Sequence, residues 1–412
     1  MLQSKLFPST QKQPPKEAVS ISHKLLTQAG FIDQLASGIW SFLPLGWRAH
    51  QKIAEIIRQE INKIGGQEVF LPTLSPKELW LETGRWDAID PPLFKVEDRH
   101  KKELALGSTH EEVITYLARK FIKSYKELPL ALYQIQTKFR NEMRATSGLL
   151  RTREFAMKDL YSFHADQKDL DRYYKEVQIA YKNIFKLCGL ESIMVEASSG
   201  TIGGKESHEF MVLSETGEDK IIICQKCGFG ANLEVGDKYK NCPNCKGKLI
   251  KKSSIESGHI FKLGVTYSQK MKANFVTQDG KQKPLIMGCY GIGLGRLMAT
   301  IVEALHDSEG IVWNKNVSPF DVHLILISKS QEKDDKIKEK ADKIYQTLQK
   351  EKIEVLYDER KISPGIKLKD SDLIGIPVRL IVSEKTGDKV EFKERDKKEV
   401  KLLSLEEVIK KI

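Results

Sequence analysis

The chain has 412 residues, a formal net charge of +11 and a pI of about 9.1, which allows two or three domains with a substantial core and suits a polyanionic partner. It contains no run of 18 apolar residues and no apolar stretch after MLQSKLFPSTQKQPPK. This argues against a membrane span or secretory leader and for a cytoplasmic protein. Four of the six cysteines stand in two Cys-x-x-Cys pairs, a usage that favours metal over disulfides.

In chain order, residues 1–16 are polar with Pro14 and Pro15, and an extended arm is expected. Isoleucines at 53, 56, 57, 61 and 64 form a helical stripe from Gly46 to Ile64 that closes on Gly65 and Gly66. QEVFLP predicts a short strand ending at Pro72. Residues 85–103 read as a charged loop, and LALGSTHEEVITYLARKFI as a strand running into a helix. Thr109 and Glu111 sit at that junction, where Ser108 or Thr109 is an N-cap with Glu111 or Glu112 completing a capping box, or the pair holds a ligand, or both.

Lys138 to Phe163, KFRNEMRATSGLLRTREFAMKDLYSF, predicts strand, flexible hairpin and strand, with Arg140, Arg144, Arg151 and Arg153 around an ATSG turn. Such a loop suits a polyphosphate, because arginine is permanently charged and its donor fork matches phosphate oxygens. A basic surface hairpin is the plain alternative. Residues 166–189 predict an amphipathic helix with Leu170, Tyr173, Tyr174, Val177, Ile179, Ala180, Ile184 and Leu187 at its apolar positions, ending on Cys188 as a buried small hydrophobe. SSGTIGGKESHEFMVL is a glycine-rich turn entering a strand, where His208 and Glu209 read more simply as an edge pair than as catalytic groups.

Cys224, Cys227, Cys242 and Cys245 form C-x2-C-x14-C-x2-C. Four thiolates from two tight knuckles close a tetrahedral site with no open position, so a structural zinc is expected, replacing a core that so short a segment cannot build. Eight lysines from Lys220 to Lys252, against Glu234 and Asp237, make either a solvated face or a contact for nucleic-acid backbone. LIMGCYGIGLGRLMATIVE at 285–303 is a strand turning through glycines into a helix. A dinucleotide fingerprint fails because Arg296 or Met298 occupies the third glycine position. The turn instead admits close approach of a ligand and plants Arg296 at the base of the helix. Beyond Pro319 a compact α/β pattern with nearly balanced charge marks a separate domain.

These residues resemble the class II aminoacyl-tRNA synthetases. The helix and strand ending at Pro72, FRNE with Arg151 and Phe155, and GIGLGR are similar to that family's motifs 1, 2 and 3. STHEE, GGKESHEF, GHIF, MGCYGIG and DERKISPGIKLKDSDLIGIP resemble the bacterial prolyl-tRNA synthetases, in the right order over nearly the whole chain. The resemblance implies an α+β fold. An antiparallel catalytic sheet with flanking helices would occupy residues 1–219 and 256–316, a small zinc-ribbon-like insertion 220–255, and an α/β anticodon-binding domain 317–412.

It also implies a homodimer formed through motif 1, and L-proline, ATP with Mg2+ and tRNA(Pro) as substrates, with prolyl-adenylate between them. Attack of a carboxylate on the α-phosphate builds negative charge, so fixed cations matter more than a general base. By the resemblance, Arg140 holds the α-phosphate and the proline carboxylate, Glu142 orients the nucleotide, Arg151 reaches the outer phosphates, and Phe155 stacks on adenine opposite Arg296. Arg140, Glu142 and Arg296 are thus the catalytic set. Thr109 and Glu111 would receive proline's secondary amine, with His208, Glu209, Phe210 and Cys289 completing the pocket. Arg144 and Arg153 are left to face tRNA or solvent. The longer bacterial relatives carry an editing domain between SHEF and GHIF; this chain has about fifty residues there, and no cis-editing is expected. A threonine-specific enzyme of the same subgroup and a non-catalytic tRNA-binding paralogue are the alternatives, the latter disfavoured because Arg140, Glu142, Arg151 and Arg296 are all present.

Overall fold

The computed structural model describes residues 1–204, 206–328 and 331–412, without the side chains of 331–334. It divides into two compact units, one of Met1–Gln34, Trp40–Lys52 and Ile301–Ile412, the other of Leu35–Ile39 and Ile53–Thr300. Among the described residues no helix is long and apolar enough to cross a membrane.

The second unit is built on a nine-stranded sheet. Across it run Glu206–Leu213, Ile193–Ala197, Gly230–Asn232, Asp219–Cys224, Leu249–Gly264, Ile286–Gly293, Glu154–His164, Leu130–Phe139 and Gln67–Glu68. The pairing is antiparallel apart from Gly230–Asn232 on Ile193–Ala197 and the edge strand Gln67–Glu68, which are parallel. The Cys-x-x-Cys segment therefore extends this sheet with two of its own strands. Alternate residues of each strand face opposite ways. One face takes the helix Gln167–Leu187, capped by Asp166 accepting from the Asp169 N–H. The other buries Tyr161, Phe163, Phe261, Met287 and Cys289 with Val113, Ile114 and Ala118 of the helix Glu111–Phe121.

Several sequence expectations shift here. The predicted strand QEVFLP ends its ladder early, because the side chains of Gln134 and Gln136 take the backbone N–H and C=O of Leu71. The stretch 85–103, read as a loop, contains the strand Phe94–Glu97. It joins Glu103–Leu106 and Leu74–Pro76 in a three-stranded sheet, near a cluster of Trp80, Trp86, Ile89, Leu93 and Ala105. Its apolar and charged residues alternate over only four positions, next to the charged run 98–103, too short a signal to stand out from a loop. In the helix Gln167–Leu187, Ile179 stands 62% exposed, off the buried stripe to which it was assigned; Cys188 is buried as expected, and burial pushes its thiol up to about 12.

The first unit holds a five-stranded sheet ordered Val355–Asp358, Val322–Ile327, Val378–Ser383, Val390–Glu394, Val400–Leu403, parallel across the first three strands and antiparallel after. The helices Gln331–Lys350 and Pro364–Ile374 accompany it. Residues 1–16 are not a free extended arm. Leu2 bridges Tyr357 at the open edge of the sheet, Gln3–Lys5 make a 3-10 turn, and Thr10 Oγ1 donates to Asp370 Oδ1 at 2.7 Å. Gln3 Oε1 lies 2.7 Å from His323 Nε2, an imidazole that burial lowers to about 3 and so keeps neutral.

Candidate active site

A cavity of about 420 Å³ opens on the nine-stranded sheet, lined from its central strands and from the segments 89–91 and 198–202. One half of it comes from the hairpin of Leu130–Phe139 and Glu154–His164, paired from Leu130 opposite Phe163 to Phe139 opposite Glu154. Beyond the ladder the Arg140 N–H donates to Arg153 O at 2.8 Å. Left-handed Ser147 and Gly148, φ 59° and 65°, turn the loop back. Glu142 is held by Arg151 through Nε and Nη2 at 3.0 and 2.9 Å. Arg153 is not simply an outward-facing charge: its Nε donates to Glu142 O at 3.0 Å and its Nη1 to Ser37 O at 3.2 Å.

The arginine of the glycine turn, Arg296, donates from Nε to Leu150 O at 2.9 Å and from Nη1 to Glu256 at 2.7 Å. Arg140 differs from both. Its guanidinium carbon sits 5.2 Å from the Phe155 ring centroid, and among the described residues no carboxylate pairs with it. Burial, then the charge of Arg296, lowers its pKa. A desolvated cation that cannot shed its proton is a site for an incoming anion.

The Ser37–Gly38 tip touches this loop directly: the Arg153 N–H donates to Gly38 O at 2.8 Å. Gly38 has φ +75°, and a Cβ there would lie 2.6 Å from Ala145 Cβ and 3.0 Å from Arg153 N. Gly38→Ala is expected to add about 1–2 kcal/mol of left-handed strain as well as displacing the loop. The KM for ATP should rise about tenfold in a folded protein, measured by pyrophosphate exchange; an unchanged KM would show that the tip does not set the loop.

The opposite half of the cavity holds Thr109, whose Oγ1 donates to Glu111 Oε2 at 2.6 Å. Neither residue caps the helix, since its N-cap is His110 with no side-chain cap bond. Arg85 Nη1 lies 3.0 Å from Glu112 and 3.4 Å from Glu111. Glu112, wholly buried, also accepts from Thr83 at 2.7 Å. Arg85 thus mainly neutralises Glu112 and leaves Glu111 with charge to offer a cation. Cys289 lines the same end, kept a neutral thiol by burial and by Glu111.

Beneath lies a buried frame. Tyr161 OH accepts from the His110 N–H at 3.0 Å and donates to Asp159 at 2.9 Å; Asp159 also takes Gln134 Nε2 at 2.9 Å and Lys138 Nζ at 2.8 Å. Sequence reasoning missed Asp159 and Tyr161, although an aspartate at strand spacing inside KDLYSF was the signal.

It missed Glu256, His259 and Asp219 as well. His259 Nδ1 lies 3.4 Å from Glu256 and 3.5 Å from Glu209, so one ligand atom from each of the three falls within 4.8 Å of the others. Burial and Glu256 raise Glu209 to about 7. Glu256 is half-buried, and Arg296 and His259 hold it well below the usual carboxylate range. Asp219 Oδ2 accepts from the Glu256 N–H at 3.3 Å and lines an extension of the cavity with Glu218, Glu142, Arg151 and Arg296. The readable signal was Glu256 and His259 flanking a glycine inside a strand whose neighbours are apolar.

His208, Glu209 and Phe210 were expected to complete one pocket, but consecutive strand residues cannot share a face. His208 Nδ1 meets Tyr174 OH at 2.9 Å, and Phe210 packs on Tyr181 and Phe185 at 5.2 and 5.6 Å between centroids. Both lie on the side of the helix Gln167–Leu187, outside the cavity lining. Glu209 faces the other way, directly across the ladder from His259.

The four cysteines converge, with Sγ separations of 3.5 Å for Cys224 and Cys245 and 3.4 Å for Cys227 and Cys242, and all four sulfurs within 4.8 Å of one another. Zinc thiolates at about 2.3 Å in a tetrahedron place sulfurs about 3.8 Å apart, so the set is compatible with zinc. A Cβ at Gly247 would lie 3.2 Å from the sulfurs of Cys224 and Cys245, so glycine leaves room around the cluster.

Residues 94–305 match the family model of the class II tRNA synthetase core domain (G, H, P, S and T), and residues 321–412 that of an anticodon binding domain. A proline–tRNA ligase from Dehalococcoides mccartyi strain BAV1 is 35% identical over 562 residues, covering 100% of this chain and 98% of that protein. One from Persephonella marina is 37% identical over 547 residues, 96% of each. Among solved structures, a Giardia lamblia prolyl-tRNA synthetase in complex with prolyl-adenylate superposes with a TM-score of 0.80 at 22% identity, over 94% of this chain and 75% of that one. The Cryptosporidium parvum enzyme complexed with halofuginone and AMPPNP gives 0.77 at 19%, over 95% and 75%. The two structures speak for the fold, and the full-length identity to bacterial ligases speaks for the lineage: the chain belongs to the proline–tRNA ligases, a family of class II aminoacyl-tRNA synthetases.

Proposed function

We propose that the cavity joins L-proline to ATP and passes the prolyl group from prolyl-adenylate to the 3′ end of tRNA(Pro). The observation that carries this is Arg140, a half-buried cation without a carboxylate partner, between a nucleotide half (Glu142, Arg151, Phe155, Arg296) and an amine-accepting half (Thr109, Glu111). Arg140 would draw the proline carboxylate and the α-phosphate together and neutralise the charge that grows between them. Glu111, only partly engaged by Arg85, would accept the secondary ammonium. Glu142, fixed by Arg151, would orient the nucleotide.

Glu256, with Asp219, Glu209 and His259 beside it, offers the oxygen-rich donor set that would hold Mg2+ entering with ATP, whose chemistry is charge neutralisation on the phosphates. In this reading residues 1–219 and 256–316 make the catalytic domain, 220–255 a module closed by structural zinc, and 317–412 the anticodon-binding domain of a cytoplasmic enzyme. A homodimer through motif 1 is supported by Gln67–Glu68 being the outermost strand of its sheet, with Phe70 beside it 80% exposed.

The alignments to the bacterial relatives run over 562 residues against 412 here, in keeping with a missing insertion, and we assign no cis-editing. A pocket that rejects alanine only by lost apolar contact discriminates by about 1–3 kcal/mol per methylene. Purified protein should therefore catalyse proline-dependent and not threonine-dependent ATP–pyrophosphate exchange, and should accumulate stable alanyl-tRNA(Pro). Threonine-dependent exchange would overturn the substrate assignment; rapid hydrolysis of the alanyl ester would overturn the editing assignment.

A further inference from the structure

The cysteine segment does more than extend the sheet, for each of its strands has one end near the sulfur cluster and the other near the cavity. Asp219–Cys224 ends on Cys224, whose Sγ lies 3.5 Å from Cys245. It begins on Asp219, whose carboxylate accepts the backbone N–H of Glu256 at 3.3 Å. The first knuckle is closed by Cys224 N–H to Phe229 O at 2.8 Å and Gly228 N–H to Cys224 O at 2.9 Å, and it leads straight into Gly230–Asn232. There Asn232 donates from Nδ2 to Glu209 Oε2 at 2.9 Å while its Oδ1 accepts from the Glu234 N–H at 3.4 Å. Its amide is thus oriented from both sides. The second knuckle, closed by Cys242 N–H to Gly247 O at 2.9 Å, opens into Leu249–Gly264, the strand that bears Glu256, Gly258 and His259.

The strand bearing Glu256 is laddered on both sides, but the buried apolar cluster under the outer strands is small: Val195, Met211 and Ile221, with the partly buried Ile193 and Ile223 against them. A metal clamped by both knuckles would fix the ends of three strands at once, and chain order would carry that constraint to the carboxylates.

We propose that the cysteine module is a brace for the catalytic cleft, and that Asn232 is the positioning residue through which its order reaches Glu209 and His259. This rests on the zinc reading above. With the brace intact, Glu209 keeps its place beside His259, and His259 its place against Glu256, the carboxylate that also fixes Arg296. With the metal gone, the knuckles open, Asn232 releases Glu209, and the strand carrying Glu256 loosens, although no cysteine touches a substrate.

The test uses the full-length protein, its zinc content measured before and after treatment with a chelator. Hydrogen exchange is followed in Ile255–Phe261 and, as an internal control, in Val322–Ile327 of the first unit. Chelation should speed exchange in the first segment at least about tenfold and leave the second unchanged; added zinc should reverse it. In pyrophosphate exchange the KM for ATP or proline should rise several-fold on chelation. Asn232→Ala should reproduce that rise with its zinc and melting temperature retained, and Asn232→Gln should restore part of it. The exchange measurement is independent of turnover, so its outcome stands apart from whether the enzyme assignment holds. Purified protein without bound metal, unchanged protection of Ile255–Phe261 after chelation, or an Asn232→Ala protein with unaltered KM values would each overturn the proposal.

Discussion

Arg140→Ala is expected to lower proline-dependent ATP–pyrophosphate exchange by about 10³-fold or more, the range for losing a cation from the transition state of phosphoryl chemistry. The fold should hardly notice. Arg140 pairs with no carboxylate in the described structure; Arg296 repels it, while Glu256, Glu142 and Glu111 attract it without an ion pair. Truncation therefore leaves no directly paired ion orphaned. Arg140→Lys should recover only part of the rate, because an ammonium keeps the charge but loses the planar fork that spans two oxygens. Exchange rates and unfolding midpoints measured together check this: a dead, fully folded Ala variant is the expected result, and wild-type exchange would remove Arg140 from the mechanism.

The second large effect is on stability. Lys138 is completely buried, and its charge is matched by Asp159 at 2.8 Å. Burial lowers the lysine's pKa and the aspartate opposes that shift. Asp159→Ala strands a buried ammonium and also orphans Tyr161 and Gln134, which donate to the same carboxylate. Breaking such a pair costs about 3–5 kcal/mol. At about 2–4 °C per kcal/mol for a unit of this size, the melting temperature should fall by roughly 10 °C. The double variant Lys138→Met, Asp159→Leu should recover much of the loss, since removing both charges deletes the desolvation cost along with the attraction. Equal destabilisation in the single and double variants would show that the pair is not what the frame depends on.

The parts of the site that could be read from the sequence are those whose chemistry is local. Arg140, Glu142 and Arg151 sit on one hairpin, and Thr109 and Glu111 on one strand-to-helix junction, so their spacing alone suggested a shared surface. The anionic side was less visible. Glu209, Glu256, His259 and Asp219 come from three strands whose register is set by long-range pairing, which no short window displays. Naming His208, Glu209 and Phe210 as one group ignored the two-residue period that sends the outer two to the opposite face. Phe94–Glu97 escaped notice because its alternation lasts only four residues before the charged DRHKKE run, and Ile179 misled because an isoleucine at nearly the right helical angle still fell on the wet side. The cysteines were the reverse case, since spacing and residue type together leave few other uses for four thiols.

The first unit draws residues from Met1–Gln34 and from Ile301–Ile412, with Leu2 on Tyr357 and Gln3 on His323. On a translating ribosome these partners emerge some 300 residues apart, which at about 5–20 residues per second is a wait of tens of seconds. The second unit, by contrast, has all its residues by Thr300. Birth order and spatial order therefore differ. The nine-stranded sheet can close while the chain is still being made, whereas the opening residues wait for His323 and Tyr357 before they can pair.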